Sequence, residues 1–412
     1  MSPRRFRGML ALLLAFGALA GARAADDAAL VAKGEYLARI GDCVSCHTAQ
    51  GGEPFAGGRG IPTPFGTVYA PNITPDRAHG IGAWSADDFR RALHEGMAPG
   101  GVLLYPAFPY PSYTYVTRED ADAIYAYLRT VKPSARRNRE NDLRFPYSVR
   151  ALLLGWRGLY FEPATFEPDP QRSAAWNRGA YLVQGLGHCA ACHSPRNAMG
   201  ATDADSRYAG GLIPEQNWYA PSLNSAESGL GTWSEDEIVE LLKTGRSPRG
   251  ATFGPMSEVV FHSLQYLTDA DARAIATYLK SLPQQPEPPS SRDLEVAPSL
   301  AARLMARGGE IYGKECASCH GDRGEGVAGI YPPLAGNQAV AARVPANPIR
   351  IVMQGGFQVP TAANPRPYSM PSFADRLSDD DVAAVVTYVR RSWGNQGRAV
   401  LPDEVKLYRS GE

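Results

Sequence analysis

This chain of 412 residues has no excess of either charge, no apolar run long enough for a membrane span and no cysteine left over from a repeated motif, and each absence excludes something. Lys plus Arg and Asp plus Glu number 42 each, so no net field recommends nucleic acid or an anionic surface as the main partner. No segment reaches the roughly 20 consecutive apolar residues that a spanning helix requires. Membrane association is therefore expected to be peripheral or through a partner. Long unbroken helices and sheets are scarce for a compositional reason, since 42 glycines and 34 prolines interrupt both. A chain of this length exceeds one ordinary core and suggests two to four compact units.

What is present begins with an export signal over residues 1–24: Arg4, Arg5 and Arg7, an apolar run from Met9 to about Ala20, and Ala22-Arg23-Ala24 as a small-x-small cleavage site. Periplasmic localisation follows as an expectation, with the mature chain starting at Ala25.

Six cysteines in an exported protein would ordinarily suggest three disulfides. Their placement argues otherwise, because they occur only as Cys43-Val44-Ser45-Cys46-His47, Cys189-Ala190-Ala191-Cys192-His193 and Cys316-Ala317-Ser318-Cys319-His320. C-x-x-C-H is the attachment signature of c-type haem: two thiols bond the vinyl groups and the adjacent imidazole ligates the iron. A redox-active thiol pair and half of a zinc site are the competing readings of a lone motif. Three copies with His always adjacent favour three covalently bound haem c groups.

A sixth ligand is usually a methionine sulfur. Met370, in Tyr368-Ser369-Met370-Pro371, and Met256, in Phe253-Gly254-Pro255-Met256, are the candidates in the third and second units, both expected in Pro-flanked loops. Aligning the first unit on the second by Trp84 and Trp233 puts Phe108 beside the Met256 position. A phenylalanine offers iron no donor. Met97 and then His94 are the nearest substitutes, and a five-coordinate haem is the alternative. His79, His188 and His262 read as ordinary loop or surface histidines.

The chain repeats on the scale of domains. Gly34-Glu35-Tyr36-Leu37 recurs as Gly179-Ala180-Tyr181-Leu182, Tyr69-Ala70-Pro71 as Tyr219-Ala220-Pro221, and Gly80-Ile81-Gly82-Ala83-Trp84-Ser85 as Gly229-Leu230-Gly231-Thr232-Trp233-Ser234. Each unit closes with an amphipathic helix opened by a Ser or Thr cap, at Thr117, Thr268 and Ser378. In each, a tyrosine (Tyr127, Tyr278, Tyr388) is expected to pack on the N-terminal helix. The expected fold is all-α, three tandem class I cytochrome c-like domains over residues 25–165, 166–290 and 291–412, each wrapped around one haem.

With Tyr105-Pro106-Ala107, Pro109-Tyr110-Pro111-Ser112-Tyr113, Tyr331-Pro332-Pro333-Leu334-Ala335-Gly336-Asn337 and Ser392-Trp393-Gly394-Asn395 added to these motifs, nearly the whole mature chain resembles the triheme cytochrome c subunits of bacterial membrane-bound dehydrogenases for alcohol, gluconate, sorbitol, fructose or glucose. The resemblance implies a non-catalytic electron-transfer subunit that takes electrons from a separate flavin- or quinone-cofactor dehydrogenase chain and delivers them to ubiquinone or another respiratory acceptor. Many of those relatives have Met where this chain has Phe108. A cytochrome subunit of a molybdenum hydroxylase is the alternative within electron transfer. A haem peroxidase is a more distant one, for want of a distal His and Arg pair. The tail from Ser392 to Glu412 is a candidate docking element for a membrane or partner.

Overall fold

The computed structural model describes residues 25–225, 228–286 and 296–409. The expected export signal lies outside the described residues, as does the middle of the Pro-rich linker that follows Pro283.

Unit one runs from helix α1 (25–40) through the first C-x-x-C-H turn to α2 (Ala86–Glu95), α3 (Arg118–Leu128) and α4 (Leu153–Tyr160). Unit two repeats the plan with α5 (Ala174–Tyr181), α6 (Glu235–Thr244), α7 (Pro255–His262) and α8 (Asp269–Lys280). Unit three contributes α9 (Pro298–Glu315), α10 (Ala346–Gln354), α11 (Asp379–Arg391) and α12 (Pro402–Arg409). The caps read from sequence are formed: Thr117, Thr268 and Ser378 accept from the amides of Asp120, Asp271 and Asp381, pairing first-turn donors that would otherwise be orphaned.

One packing rule holds in all three units. The N-terminal helix of each unit, α1, α5 or α9, crosses α3, α8 or α11 where a glycine of one meets an alanine carbonyl of the other: Gly34 against Ala123, Gly179 against Ala274, Gly308 against Ala384. A side-chain carbon on any of these glycines would collide with that oxygen and crowd the β-carbon of Tyr127, Tyr278 or Tyr388. Those tyrosines pack where expected, Tyr278 edge-on to Trp176 at 5.2 Å and Tyr388 against Tyr312 at 5.4 Å.

The all-α expectation needs one amendment. An antiparallel hairpin, Gly60–Thr63 with Gly66–Tyr69, takes Asp142–Leu143 as a third strand, and two- and three-residue hairpins follow α2, α6 and the second motif. These form where glycine-rich sequence ends a helix and turns back within a few residues, too short for a periodic signal.

Units one and two are not beads on a string but halves of one continuous core, in which Leu37, Ile40, Ile124 and Leu128 pack with Leu182, Leu186, Ile238 and Leu279. A pseudo-two-fold relation is written in their polar contacts. The Tyr36 hydroxyl donates to Asp271 at 2.6 Å and accepts from the Thr268 amide at 3.3 Å. Reciprocally, Tyr181 donates to Asp120 at 2.6 Å and accepts from the Thr117 amide at 3.3 Å. Each carboxylate also takes a cation, Lys33 for Asp120 and Arg178 for Asp271, from its own unit.

Unit three docks on unit two. Asn347 exchanges two hydrogen bonds with the Tyr219 backbone at 2.8 and 2.9 Å, and Trp233 Nε1 donates to Gln338 at 2.6 Å. The C-terminal tail folds inward: Trp393 packs on Tyr312 and Tyr388, and Val400, Val405 and Tyr408 are buried. Most of the described tail's hydrophobic side chains are thus spent on unit three's own core, with Leu407 left exposed. No helix among the described residues is long and apolar enough to cross a membrane.

Candidate haem-binding sites

Each C-x-x-C-H motif sits on a short helical turn, Cys43–Cys46, Ala190–His193 and Ala317–His320. All six cysteines are free of disulfides. Burial pushes the Cys43 and Cys189 thiols up to about 12 and Cys316 up to about 11. A redox-active pair works through a stabilised thiolate, and these upward shifts run against that reading. Nor do three His, Cys, Asp or Glu side chains converge among the described residues as a zinc site would need.

The histidines show what the motifs are built to hold. His47 Nδ1 lies 2.7 Å from the Pro71 carbonyl oxygen, His193 Nδ1 lies 2.7 Å from that of Pro221, and His320 Nδ1 lies 3.2 Å from that of Pro332. A carbonyl only accepts, so Nδ1 carries the proton and Nε2 keeps its lone pair for a metal. Burial lowers all three imidazole pKa values, against the opposing pull of the carbonyl, and keeps them neutral as ligation requires. The residues present thus fit haem c: paired thiols and one oriented neutral imidazole, three times over. Two of the prolines, Pro71 and Pro221, were visible in sequence in the repeated Tyr-Ala-Pro and the third in Tyr331-Pro332-Pro333, but their part in aiming the histidines was not.

Met256 lies in the first turn of α7, not in a loop as expected, because Pro255 has the fixed φ and missing amide proton suited to opening a helix. Its side chain packs on the shared core. Met370 lies in a loop tied to the end of α10 by two backbone bonds with Gly356, 3.0 and 2.9 Å. Met97 opens the hairpin after α2, pairing with Leu103, and its Sδ is 2.9 Å from Nη2 of Arg91.

Asp42, Arg59 and Glu258, which the sequence did not single out, join the first site, and His188 joins the second. Asp42, at φ 51, precedes Cys43, and its carboxylate accepts from Ser45 Oγ at 2.5 Å. Burial raises its pKa to about 7, with Glu258 adding and Ser45 and Arg59 opposing. Arg59 donates to the Ser45 carbonyl at 2.7 Å and pairs with Glu258, two residues beyond Met256, at 2.8 Å. The first motif is thereby fastened to the helix bearing Met256. His188, expected to be an ordinary loop histidine, occupies the corresponding place in unit two at φ 36, with its ring edge-on to Tyr113 at 5.5 Å. On the other side, Phe253 of unit two packs against Gly356 of unit three, beside Met370.

Free paired thiols beside a carbonyl-oriented imidazole, inside shells of helices that cross at glycine, define the class of c-type cytochromes. The sequence matches cytochrome c over residues 31–132, 177–283 and 305–393, and the chain belongs to the cytochrome c family. It is 44% identical to the cytochrome c subunit of alcohol dehydrogenase (quinone) from Gluconacetobacter polyoxogenes, covering 96% of this chain and 89% of that one. Against the gluconate 2-dehydrogenase cytochrome c subunit of Pantoea cypripedii the identity is 42%, over 96% and 93%. Against a nicotinate dehydrogenase subunit of Pseudomonas putida it is 44%, over 88% of this chain and 30% of that longer protein. The resemblance to cytochrome c subunits of dehydrogenases is thus shown, and with it an electron-transfer role through covalently bound haem c.

Proposed function

We propose that this chain is a periplasmic electron-transfer subunit holding three c-type haems, which passes electrons from a separate flavin- or quinone-cofactor dehydrogenase chain to ubiquinone or another respiratory acceptor. The observation that supports it best is that three C-x-x-C-H turns, each with its histidine held by a proline carbonyl, lie in one packed body. Haem, when bound, supplies the one-electron change of iron valence. The protein's residues do the rest: the cysteines anchor, the carbonyl-held histidines present Nε2, Met256 and Met370 stand ready as sulfur donors, and buried helices exclude water. Unit two touches both neighbours, through Arg59–Glu258 on one side and Phe253 against Gly356 on the other, which makes it the middle of the series. The match to a nicotinate dehydrogenase chain keeps a molybdenum hydroxylase as the alternative donor. Mixing the purified haem-loaded protein with each class of reduced dehydrogenase should give haem reduction by the quinone- or flavin-dependent enzyme, and failure with both across a range of ionic strength would refute the assignment.

Peripheral attachment to an anionic phospholipid surface belongs to the same proposal. The stretch 145–160 exposes Phe145 at 82%, Leu154 at 64% and Leu159 at 75%. Helix α4 is apolar on both faces, since Leu153 and Trp156 pack inward, whereas a surface helix normally turns polar side chains outward. Residues 136–157 hold six arginines against Glu140 and Asp142, and Arg144, Arg150 and Arg157 hydrogen-bond backbone carbonyls. An apolar strip rimmed by guanidinium groups suits the boundary of headgroups and acyl chains. Exchanging Phe145, Leu154 and Leu159 for serine should reduce binding to vesicles containing phosphatidylglycerol by tenfold or more without altering haem spectra. Unchanged vesicle binding, or binding lost instead to the isolated dehydrogenase chain, would turn the strip into something other than a lipid site.

A further inference from the structure

The hairpins after α2 and α6 place unit one in register on unit two. Each helix ends at a left-handed glycine, Gly96 (φ 61) and Gly245 (φ 76), and the returning strand bonds that glycine's carbonyl, through Leu104 N–H at 2.9 Å and Thr252 N–H at 2.8 Å. Four residues beyond that bond stand Phe108 and Met256. Both side chains pack on the shared core. This register comes from backbone bonding and is independent of the tryptophan alignment, and it puts a hydrocarbon ring where unit two has a sulfur donor.

The two substitutes each have surroundings of their own. Met97 corresponds in the hairpin to Arg246, whose guanidinium donates to the Gly329 carbonyl of unit three. Its sulfur is already beside the Arg91 guanidinium. His94 lies on α2 with both ring nitrogens shut off from solvent, near the backbone of Ala164. That segment is pinned to Thr114 by two hydrogen bonds. The hydroxyl of Tyr113, whose ring is 5.3 Å from Phe108, is committed to the Gly41 carbonyl at 2.8 Å.

We infer that the first haem site has no protein donor opposite His47 and that this position, walled by Phe108 and Tyr113, takes a small uncharged π-accepting diatomic ligand. The inference rests on the reading that the three motifs hold haem and that Met256 ligates iron. Soft, electron-rich Fe(II) favours such ligands, and an apolar wall without a hydrogen-bond donor gives no preference to charged ones.

The test uses the full haem-loaded protein and carbon monoxide. Pyridine haemochrome analysis comes first: a haem count below three defeats the underlying reading, whatever the ligand result. With three haems present, the reduced protein is expected to bind about one carbon monoxide per chain, and about one iron in three should be high-spin in the ligand-free state. Phe108→Met should abolish carbon monoxide binding and strengthen the methionine-to-iron band at long wavelength. Met97→Leu and His94→Gln, each conservative, should leave the stoichiometry at one. Three low-spin irons that resist carbon monoxide in the native protein would overturn the inference, as would a second binding equivalent created by Met97→Leu or His94→Gln.

Discussion

Exchanging Cys189 and Cys192 together for alanine is expected to lower the haem count from three to two per chain and to bring electron delivery from dehydrogenase to acceptor down to background. The argument runs from packing. Unit two meets the first motif through Arg59, Glu258 and Ser263, whose hydroxyl donates to the Ile40 carbonyl at 3.1 Å, and meets unit three at Tyr219, Trp233 and Phe253. Removing the middle cofactor breaks the series, whereas removing a terminal one leaves the other two in contact. On the proposed function haem would also fill part of the core, so the double alanine variant is at risk of misfolding. Met256→Ala serves as the second measurement, because the thioether bonds and His193 still hold the haem. It should keep three haems, convert one to a carbon monoxide-binding form and shift one midpoint potential downward, since a thioether ligand favours Fe(II). Full delivery rates in both variants would remove unit two from the path.

What the sequence made legible was whatever is local or repeated. The motifs, the caps at Thr117, Thr268 and Ser378, and the tyrosines at 127, 278 and 388 follow from short-range chemistry and from comparing one unit with the next. The glycine partners of those tyrosines were in view too, as Gly34 and Gly179, but a close helix crossing leaves no mark on a single helix's pattern. The carbonyl that orients each histidine is a backbone atom 12 to 28 residues away and has no side-chain signature. Asp42 shares its place before a motif with His188 but not a residue type, so a comparison of identities passes over it. The apolar strip at 145–160 carries no sequence signal because its hydrophobic residues follow neither a strand's nor a one-faced helix's period.

The last expectation concerns the seam between units one and two, which no local pattern announced: Tyr36 and Asp271 are 235 residues apart. Asp271→Asn should cost about 2 kcal/mol at neutral pH, because it leaves the Arg178 guanidinium without its carboxylate and weakens the acceptor of Tyr36. Burial pushes the Asp271 pKa up, but the bonds from Arg178 and Tyr36 outweigh it and hold the group below the ordinary carboxylate value. Its contribution is therefore full above the unfolded pKa of about 4 and is lost as pH falls through the lower folded value. Thermal or denaturant unfolding of the haem-loaded protein, followed by far-ultraviolet circular dichroism, should show the native chain more stable than Asp271→Asn at pH 7, with the gap closing in acid. Asp120→Asn should also destabilise the protein at pH 7, since Lys33 and Tyr181 make the mirror-image contacts. Because both carboxylates stand in the first turn of one unit's helix, α3 or α8, while receiving the other unit's tyrosine, loss of either loosens the seam, and the two motifs should lose their fixed relation before the helices melt. A gap that stayed constant from pH 7 down to the acid limit would show that packing, rather than charge, holds the seam.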